Sequence, residues 1–410
     1  MIARITGLYH EYPRTFWMMI LVNFIDRLGG SLLFPFFALY LTRRFDIGMT
    51  EVGVLFAVFA LSGFIGGLPG GAITDRFGRK GIIIFSLLAT SFSTLLMGFV
   101  DTFQLFIVVA FVSGIFTDVG GPAYEAVFID VLPPEKRPTG FGIRRVAFNL
   151  AIVAGPAIGG LIAARSYLAL FIIDAIVSSL VALMVVLLIP ETKPPLAVGA
   201  EHETALQSFG GYFRVLRDGK FMAFVGACLL TWLVYMNMNT TLGVYLRDEH
   251  GIPEIGYGSL ISINAAMVVL MQFPITKSIE RRPPMLMMAL GTMFVAIGLG
   301  MYGFVSAYWL FIVAMAILTI GEMVTVPIAN AVVASFAPED MRGRYNFIYG
   351  NSWAISFAAG PYLAGQILDN YNPNLLWYYC LLIGAAAALI FIVLHFRVHP
   401  QPVAETAPSG

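Results

Sequence analysis

Twelve long apolar runs decide what this chain can fold into. A membrane-spanning helix needs about 20 mostly apolar residues. Runs of that kind occupy roughly residues 15–41, 51–72, 81–100, 103–132, 142–164, 167–189, 221–246, 254–276, 285–305, 308–336, 345–368 and 375–397. They are continuously apolar rather than alternating, which argues against a β-barrel. Composition points the same way. A soluble protein carries about 25% charged residues, and this chain of 410 residues carries 12%, with 59% hydrophobic. That is too little charge to cover a water-facing surface, which excludes a soluble enzyme, a nucleic-acid binder or a disordered chain. The net charge of +0 provides no basic excess for phosphate backbones. The expectation is an all-α membrane protein with twelve transmembrane helices. The first run is read as a span rather than a signal peptide, because it is long, contains Asp26 and Arg27, and is followed by no small-residue cleavage site.

Orientation follows from where Lys and Arg fall. With a cytoplasmic N-terminus, nineteen of the 24 lie in cytoplasmic connections and four (Arg43, Arg44, Arg165 and Arg247) lie outside, leaving Arg27 within the first span. Both termini are therefore expected in the cytoplasm, with the chain multi-pass in the cell membrane. The longest polar connection, residues 190–219, opens with a Pro-rich PETKPP and reads as a cytoplasmic linker. It separates an N-terminal six-helix bundle (1–189) from a C-terminal one (220–397), and residues 398–410 form a cytoplasmic tail expected to be disordered.

The two halves are related at a constant spacing of 205 residues. Pro122, Pro133 and Arg137 match Pro327, Pro338 and Arg342, and Gly155, Pro156 and Gly160 match Gly360, Pro361 and Gly365. Tyr40, Leu41 and Gly53 match Tyr245, Leu246 and Gly258. Six spans per half give both halves the same membrane orientation, a parallel repeat that encloses a site near the midplane.

At the second-to-third connection the sequence reads Gly71-Ala72-Ile73-Thr74-Asp75-Arg76-Phe77-Gly78-Arg79-Lys80. This resembles the G-x-L-a-D-R-x-G-R-K signature of the major facilitator superfamily, and span count, linker and repeat agree with it. The resemblance implies two six-helix bundles that rock about a central cavity lined by spans 1, 4, 7 and 10. It also implies an ionic latch of Asp75, Arg76, Arg79 and Lys80 with the acid at the inner end of span 4, here Asp130. The plainer reading is a basic turn that only sets topology. In span 5, Gly155-Pro156-Ala157-Ile158-Gly159-Gly160 resembles the antiporter motif of the twelve-span drug:proton antiporters. The plainer reading there is ordinary helix packing. Span 4 lacks the mid-span Arg of many of those antiporters, whereas Gly321-Glu322 followed by Pro327 resembles a pattern of one multidrug branch.

Ionisable side chains at membrane depth are costly and mark pathways. Asp26 and Arg27 fall mid-way along span 1, Asp118 mid-way along span 4 with Glu125 two turns further, and Glu322 mid-way along span 10. These five are the candidate proton-coupling residues, with Arg27 either switching between acids or pairing statically with Asp118 or Glu125. Asp174 in span 6 reads as a packing residue. Arg144 and Arg145 read as snorkelling to the headgroups, with one of them free to face the cavity mouth. Trp232, Tyr235, Asn239, Glu322, Tyr349 and Trp353 are the candidate substrate contacts, in a chain whose 19 Met and 34 Phe suit adaptable apolar binding.

The resulting expectation is a secondary transporter, not an enzyme, that exports amphipathic or cationic organic compounds in exchange for protons. Its partners are a small-molecule substrate, protons and the bilayer, with no nucleic acid, and the protein is a monomer. A carrier of one metabolite and a non-transporting membrane sensor are the alternatives. The chain has no G-x-x-x-x-G-K-[ST] for a nucleotide, no recognisable Ser/His/Asp set and no metal spacing among two Cys and five His, so no cofactor is expected. The topology has a direct check. An impermeant thiol reagent applied to intact cells should label Thr102→Cys and Ser306→Cys but not Lys136→Cys or Arg281→Cys.

Overall fold

Apolar surroundings offer the backbone no hydrogen bonds, so each crossing segment has to satisfy its own amides as a helix. The computed structural model describes residues 11–133, 136–192, 212–338 and 341–397, apart from the side chains of 68–72, 75, 76 and 138. In chain order the long helices are α1 (Arg14–Phe45), α2 (Met49–Phe77), α3 (Arg79–Phe99), α4 (Phe103–Val131), α5 (Arg137–Ala163) and α6 (Tyr167–Leu188). They continue as α7 (Gly219–Tyr235, extended by Asn237–Thr240 and Leu242–His250), α8 (Glu254–Ile279), α9 (Pro284–Met301), α10 (Tyr308–Phe336), α11 (Arg342–Asn370) and α12 (Asn374–Arg397). Eleven of these are long and apolar enough to cross a membrane. The helix outside that set is α11, equally long but made more polar by Asn346, Asn351 and Gln366. Most of the expected linker, and the tail, lie outside the described residues.

Local chemistry explains the interruptions. Pro35 lacks an amide proton and sits in a short 3-10 turn (Phe34–Phe36) within α1. In α4 the helix breaks at Gly120, just before Gly121-Pro122. Ser166 and Asp218 accept hydrogen bonds from the amides of Ala169 and Phe221 and so cap α6 and α7. Large apolar side chains such as Phe92, Leu187, Leu270 and Phe273 stand at least two-thirds exposed on the outer surface. A water-facing protein would not keep them so, and lipid tails suit them.

Packing follows the repeat. In the first half α1 lies on α5 and α6, α2 on α4, and α3 on α4 and α6. In the second half α7 lies on α11 and α12, α8 on α10, and α9 on α10 and α12. Equivalent residues make equivalent bonds: the Tyr40 hydroxyl donates to the carbonyl of Met97, and the Tyr245 hydroxyl donates to that of Tyr302.

The halves meet along two seams, α2 against α11 and α5 against α8. Both are built on glycine. A Cβ at Gly53 would lie 2.3 Å from the Cα of Tyr362, and one at Gly258 would lie 2.6 Å from the carbonyl oxygen of Pro156. A Cβ at Gly365 would lie 2.4 Å from the backbone of Met49 and Thr50, and one at Gly160 would lie 3.0 Å from the carbonyl of Glu254. Small residues let backbones approach where no water is present to drive association.

Polar contacts reinforce the same end of the molecule, opposite the basic face. Arg247 donates to Thr42 Oγ1 at 3.0 Å, joining the ends of α7 and α1. Glu254 accepts from Arg43 at 3.3 Å and from the Tyr167 hydroxyl at 2.8 Å. Asp369 on α11 accepts from the first amides of α2, Met49 at 2.9 Å and Thr50 at 2.7 Å, as an anion at a helix N-terminus should. Loosening either seam should open this end. In a Gly48→Cys/Asp369→Cys background, where a Cβ at Gly48 would lie 2.8 Å from the Asp369 carboxyl carbon, adding Gly53→Ala or Gly258→Ala should cut the yield of spontaneous disulfide about tenfold. Unchanged cross-linking would show that the seams do not hold the face shut.

Candidate functional site

Because the halves touch at one end, a cavity of about 670 Å³ opens between α1 and α5 on one side and α7, α8, α10 and α11 on the other. Arg145 and Asn330 on its wall are exposed, and Arg145 lies toward the basic end of α5, so the cavity runs from the closed seams toward the basic face.

All six candidate substrate contacts share this one cavity: Trp232, Tyr235 and Asn239 of α7, Glu322 of α10, and Tyr349 and Trp353 of α11. Trp232 and Trp353 meet edge-on with ring centroids 5.3 Å apart, and Tyr235 lies 6.2 Å from Trp353. Edge contacts of this kind hold an aromatic wall in place while leaving ring faces for a ligand. Glu322 accepts a hydrogen bond from Asn264 Nδ2 at 2.8 Å, and the Tyr235 hydroxyl lies against the same carboxylate. Among the described residues it has no ion-pair partner.

The candidate proton-coupling residues do not all meet here. Arg27 lines the cavity, with its guanidinium 4.3 Å above the ring of Phe148. Asp26 does not; adjacent residues on a helix diverge by about 100°, and Asp26 turns into the first half, within electrostatic range of Tyr124 and Asp174. Asp174 is 6% exposed there, beside Gly29. Asp118 is exposed on α4 and packs over Gly63 of α2, away from the cavity wall. Glu125 pairs with Arg144, whose guanidinium also stacks on Phe128 at 4.8 Å. A shared depth along three spans therefore does not become a shared site, because helix rotation sends Asp118 toward a neighbour that has a glycine to receive it. The static pairing of Arg27 with Asp118 or Glu125 is absent among the described ion pairs.

The family signature makes a second constellation at the basic face. Arg79 forms an ion pair with Asp130 and donates to the carbonyl of Thr192 at 2.9 Å. Gly78 turns the chain with φ of 91°, a conformation that suits glycine. The carboxylate on the first amides of α3 is that of Glu191, which accepts from Arg79 N at 3.0 Å and Lys80 N at 3.3 Å. Lys80 Nζ donates to Val186 O at 2.7 Å. Gly71, Asp75 and Arg76 belong to α2, and the side chains of Asp75 and Arg76 lie outside the described residues. Pro156 and Gly160 sit at the α5–α8 seam, whereas Gly155 and Gly159 face α1 within the first half. A Cβ at Gly155 would strike Ser31 Oγ and one at Gly159 the carbonyl of Leu32, both on α1.

Four contributors escaped the sequence reading. Glu191 falls at the start of the expected linker and Asp369 just beyond the eleventh apolar run, while Asn264 and Gln272 are two amides within the single apolar run 254–276. Such amides seldom stand idle in a membrane, so a signal was present.

Comparison with known proteins indicates a transporter rather than an enzyme. The Major Facilitator Superfamily sequence profile matches residues 19–361. The Na(+), Li(+), K(+)/H(+) antiporter of Planococcus maritimus is 25% identical over 362 residues, covering 82% of this chain and 85% of that one. The quinolone resistance protein NorA of Staphylococcus aureus (strain MSSA476) is 23% identical over 391 residues, covering 93% and 96%. A crystallised mutant of the nucleoside transporter NupG superposes with a TM-score of 0.80 at 11% identity, covering 93% of this chain and all of that one. This chain belongs to the Major Facilitator Superfamily, and it is a multi-pass secondary transporter.

The basic-face constellation should behave as one unit. Arg79→Gln and Asp130→Asn should each slow transport about three- to tenfold, and the double variant should lose no more than either alone. Additive losses would separate the two residues.

Proposed function

We propose that the protein exchanges protons for amphipathic organic compounds by alternating access, exporting them across the cell membrane with its basic face in the cytoplasm. The observation that carries this reading is a cavity walled by aromatic side chains, sealed at one end, with Glu322 as the one carboxylate in its wall among the described residues. A carboxylate held by Asn264 and Tyr235 and by no fixed cation can lose or gain a proton as the cavity changes sides. The halves touch along glycine seams that can part without breaking a packed core, which suits rocking. Asp26, set behind Arg27 and near Asp174, is a second proton site on this reading.

Similarity to NorA supports an organic substrate, and similarity to the Planococcus antiporter supports proton exchange. That relative also raises exchange of monovalent cations for protons. The cavity volume, far larger than any dehydrated ion, favours the organic substrate.

Proteoliposomes with an imposed pH gradient, screened with cationic, neutral and anionic aromatic compounds, test the proposal directly. Glu322→Gln should abolish gradient-driven accumulation while retaining substrate exchange, which needs no net proton movement. Full accumulation by Glu322→Gln would move the coupling to Asp26 or Asp118, and the absence of any gradient-driven flux would remove the proposal.

A further inference from the structure

The cavity wall has an uneven distribution of charge. Among the described residues only three of those that line it are ionic: Arg27 on α1 and Arg145 on α5, both from the first half, and Glu322 on α10 from the second. Neither arginine has an ion-pair partner among the described residues. The acids that could have served them are engaged or turned away. Glu125 is taken by Arg144, and Asp26 faces the interior of the first half without reaching ion-pair distance of Arg27. Asp118 packs on α2. Arg27 rests on the Phe148 ring, which orients its plane and satisfies none of its N–H groups. Glu322, across the cavity, is within electrostatic range of Arg145 but not paired with it.

Two guanidinium groups with free donors and no acceptor make a receptor for a planar anion. Arginine's fork matches a carboxylate bidentately, and a charge removed from water needs a counter-charge. A ligand that is only cationic would meet Glu322 but also two like charges in the opposite wall. A ligand that is only anionic would satisfy the arginines and leave Glu322 facing its negative charge. Resting on the transport reading above, we propose that the cavity takes zwitterionic amphiphiles, with the acid group held by Arg27 and Arg145 and the ammonium by Glu322. The apolar body lies against Trp232, Tyr235 and Trp353, which line the same space. Such a ligand joins the two halves through its own charges, so its binding bears directly on the rocking motion.

The test uses three probes sharing one aromatic body: biphenylalanine as the zwitterion, biphenylethylamine as the cation and biphenylpropionate as the anion. Binding to the purified full-length protein is measured by calorimetry, and flux in proteoliposomes. Biphenylalanine should bind at least about tenfold more tightly than biphenylethylamine, since hydrogen bonds to charged groups are worth about that factor. Arg27→Gln and Arg145→Gln should each weaken biphenylalanine and biphenylpropionate about tenfold and leave biphenylethylamine unchanged or tighter. Arg27→Lys, which keeps the charge and loses the fork, should fall between. Glu322→Gln should bring biphenylalanine down to the level of biphenylpropionate. The proposal is overturned if biphenylethylamine binds as tightly as biphenylalanine, if both Arg→Gln variants keep the wild-type ranking, or if biphenylalanine does not bind. The expected ranking without any flux would leave the charge assignment standing and remove the transport reading. Proton-driven flux that favours the cation would do the reverse.

Discussion

Everything in this molecule depends on where the two halves touch. They meet backbone to backbone at glycines on the face opposite the basic one, α2 on α11 and α5 on α8. A Cβ at Gly53 or Gly258 would fall 2.3 or 2.6 Å from the facing backbone, so either helix pair would have to move apart to accept a side chain. The contact is closest where the cavity ends, so the halves splay from there toward the basic face and the central space follows. The Arg43–Glu254 salt bridge, the Arg247–Thr42 hydrogen bond and the Asp369 cap add polar links around the seams that can break and reform. Surface pairs of that kind contribute little each, about 0–1 kcal/mol, which suits a contact that must open in every cycle.

The charges divide between architecture and cavity. Arg79 with Asp130 and Glu191, and Arg144 with Glu125, serve the first half's own structure. Once these are assigned, Arg27, Arg145 and Glu322 remain in the cavity wall without ion-pair partners. Two are donors on one half and one is an acceptor on the other. The family signature, which the resemblance reads as an ionic latch, braces the first half through Arg79 and Asp130, and the cations in the cavity wall are ones that no motif marks.

The twelve helical segments were legible because bilayer thickness imposes a length and backbone hydrogen bonding imposes a helix. Observed bounds fall within a few residues of the apolar runs for most helices, such as α10 at Tyr308–Phe336. The repeat was legible too, and its matched residues are the ones that form both seams: Gly53 and Gly258, Pro156 and Pro361, Gly160 and Gly365. The aromatic wall was legible in part: Trp232 and Tyr235 stand on span 7, which the family resemblance places at the cavity, whereas Tyr349 and Trp353 stand on span 11, which it does not. The acids were less legible. Depth along a span can be counted, but Asp26, Asp118 and Glu322 share a depth and only Glu322 reaches the cavity.

By itself the sequence determined the fold class, the basic-face asymmetry, the two related halves and the family, because each of these is written in the spacing of residues along one dimension. Tertiary structure alone decided which side of each helix faces the cavity. Helix rotation is set by how neighbours pack: Asp118 turns toward Gly63, Glu125 toward Arg144, and Arg27 onto Phe148. The charge of the cavity wall is the remainder after those contacts are made. That remainder is a property of three dimensions, since a side chain's partner can lie more than a hundred residues away, as Glu191 does from Arg79.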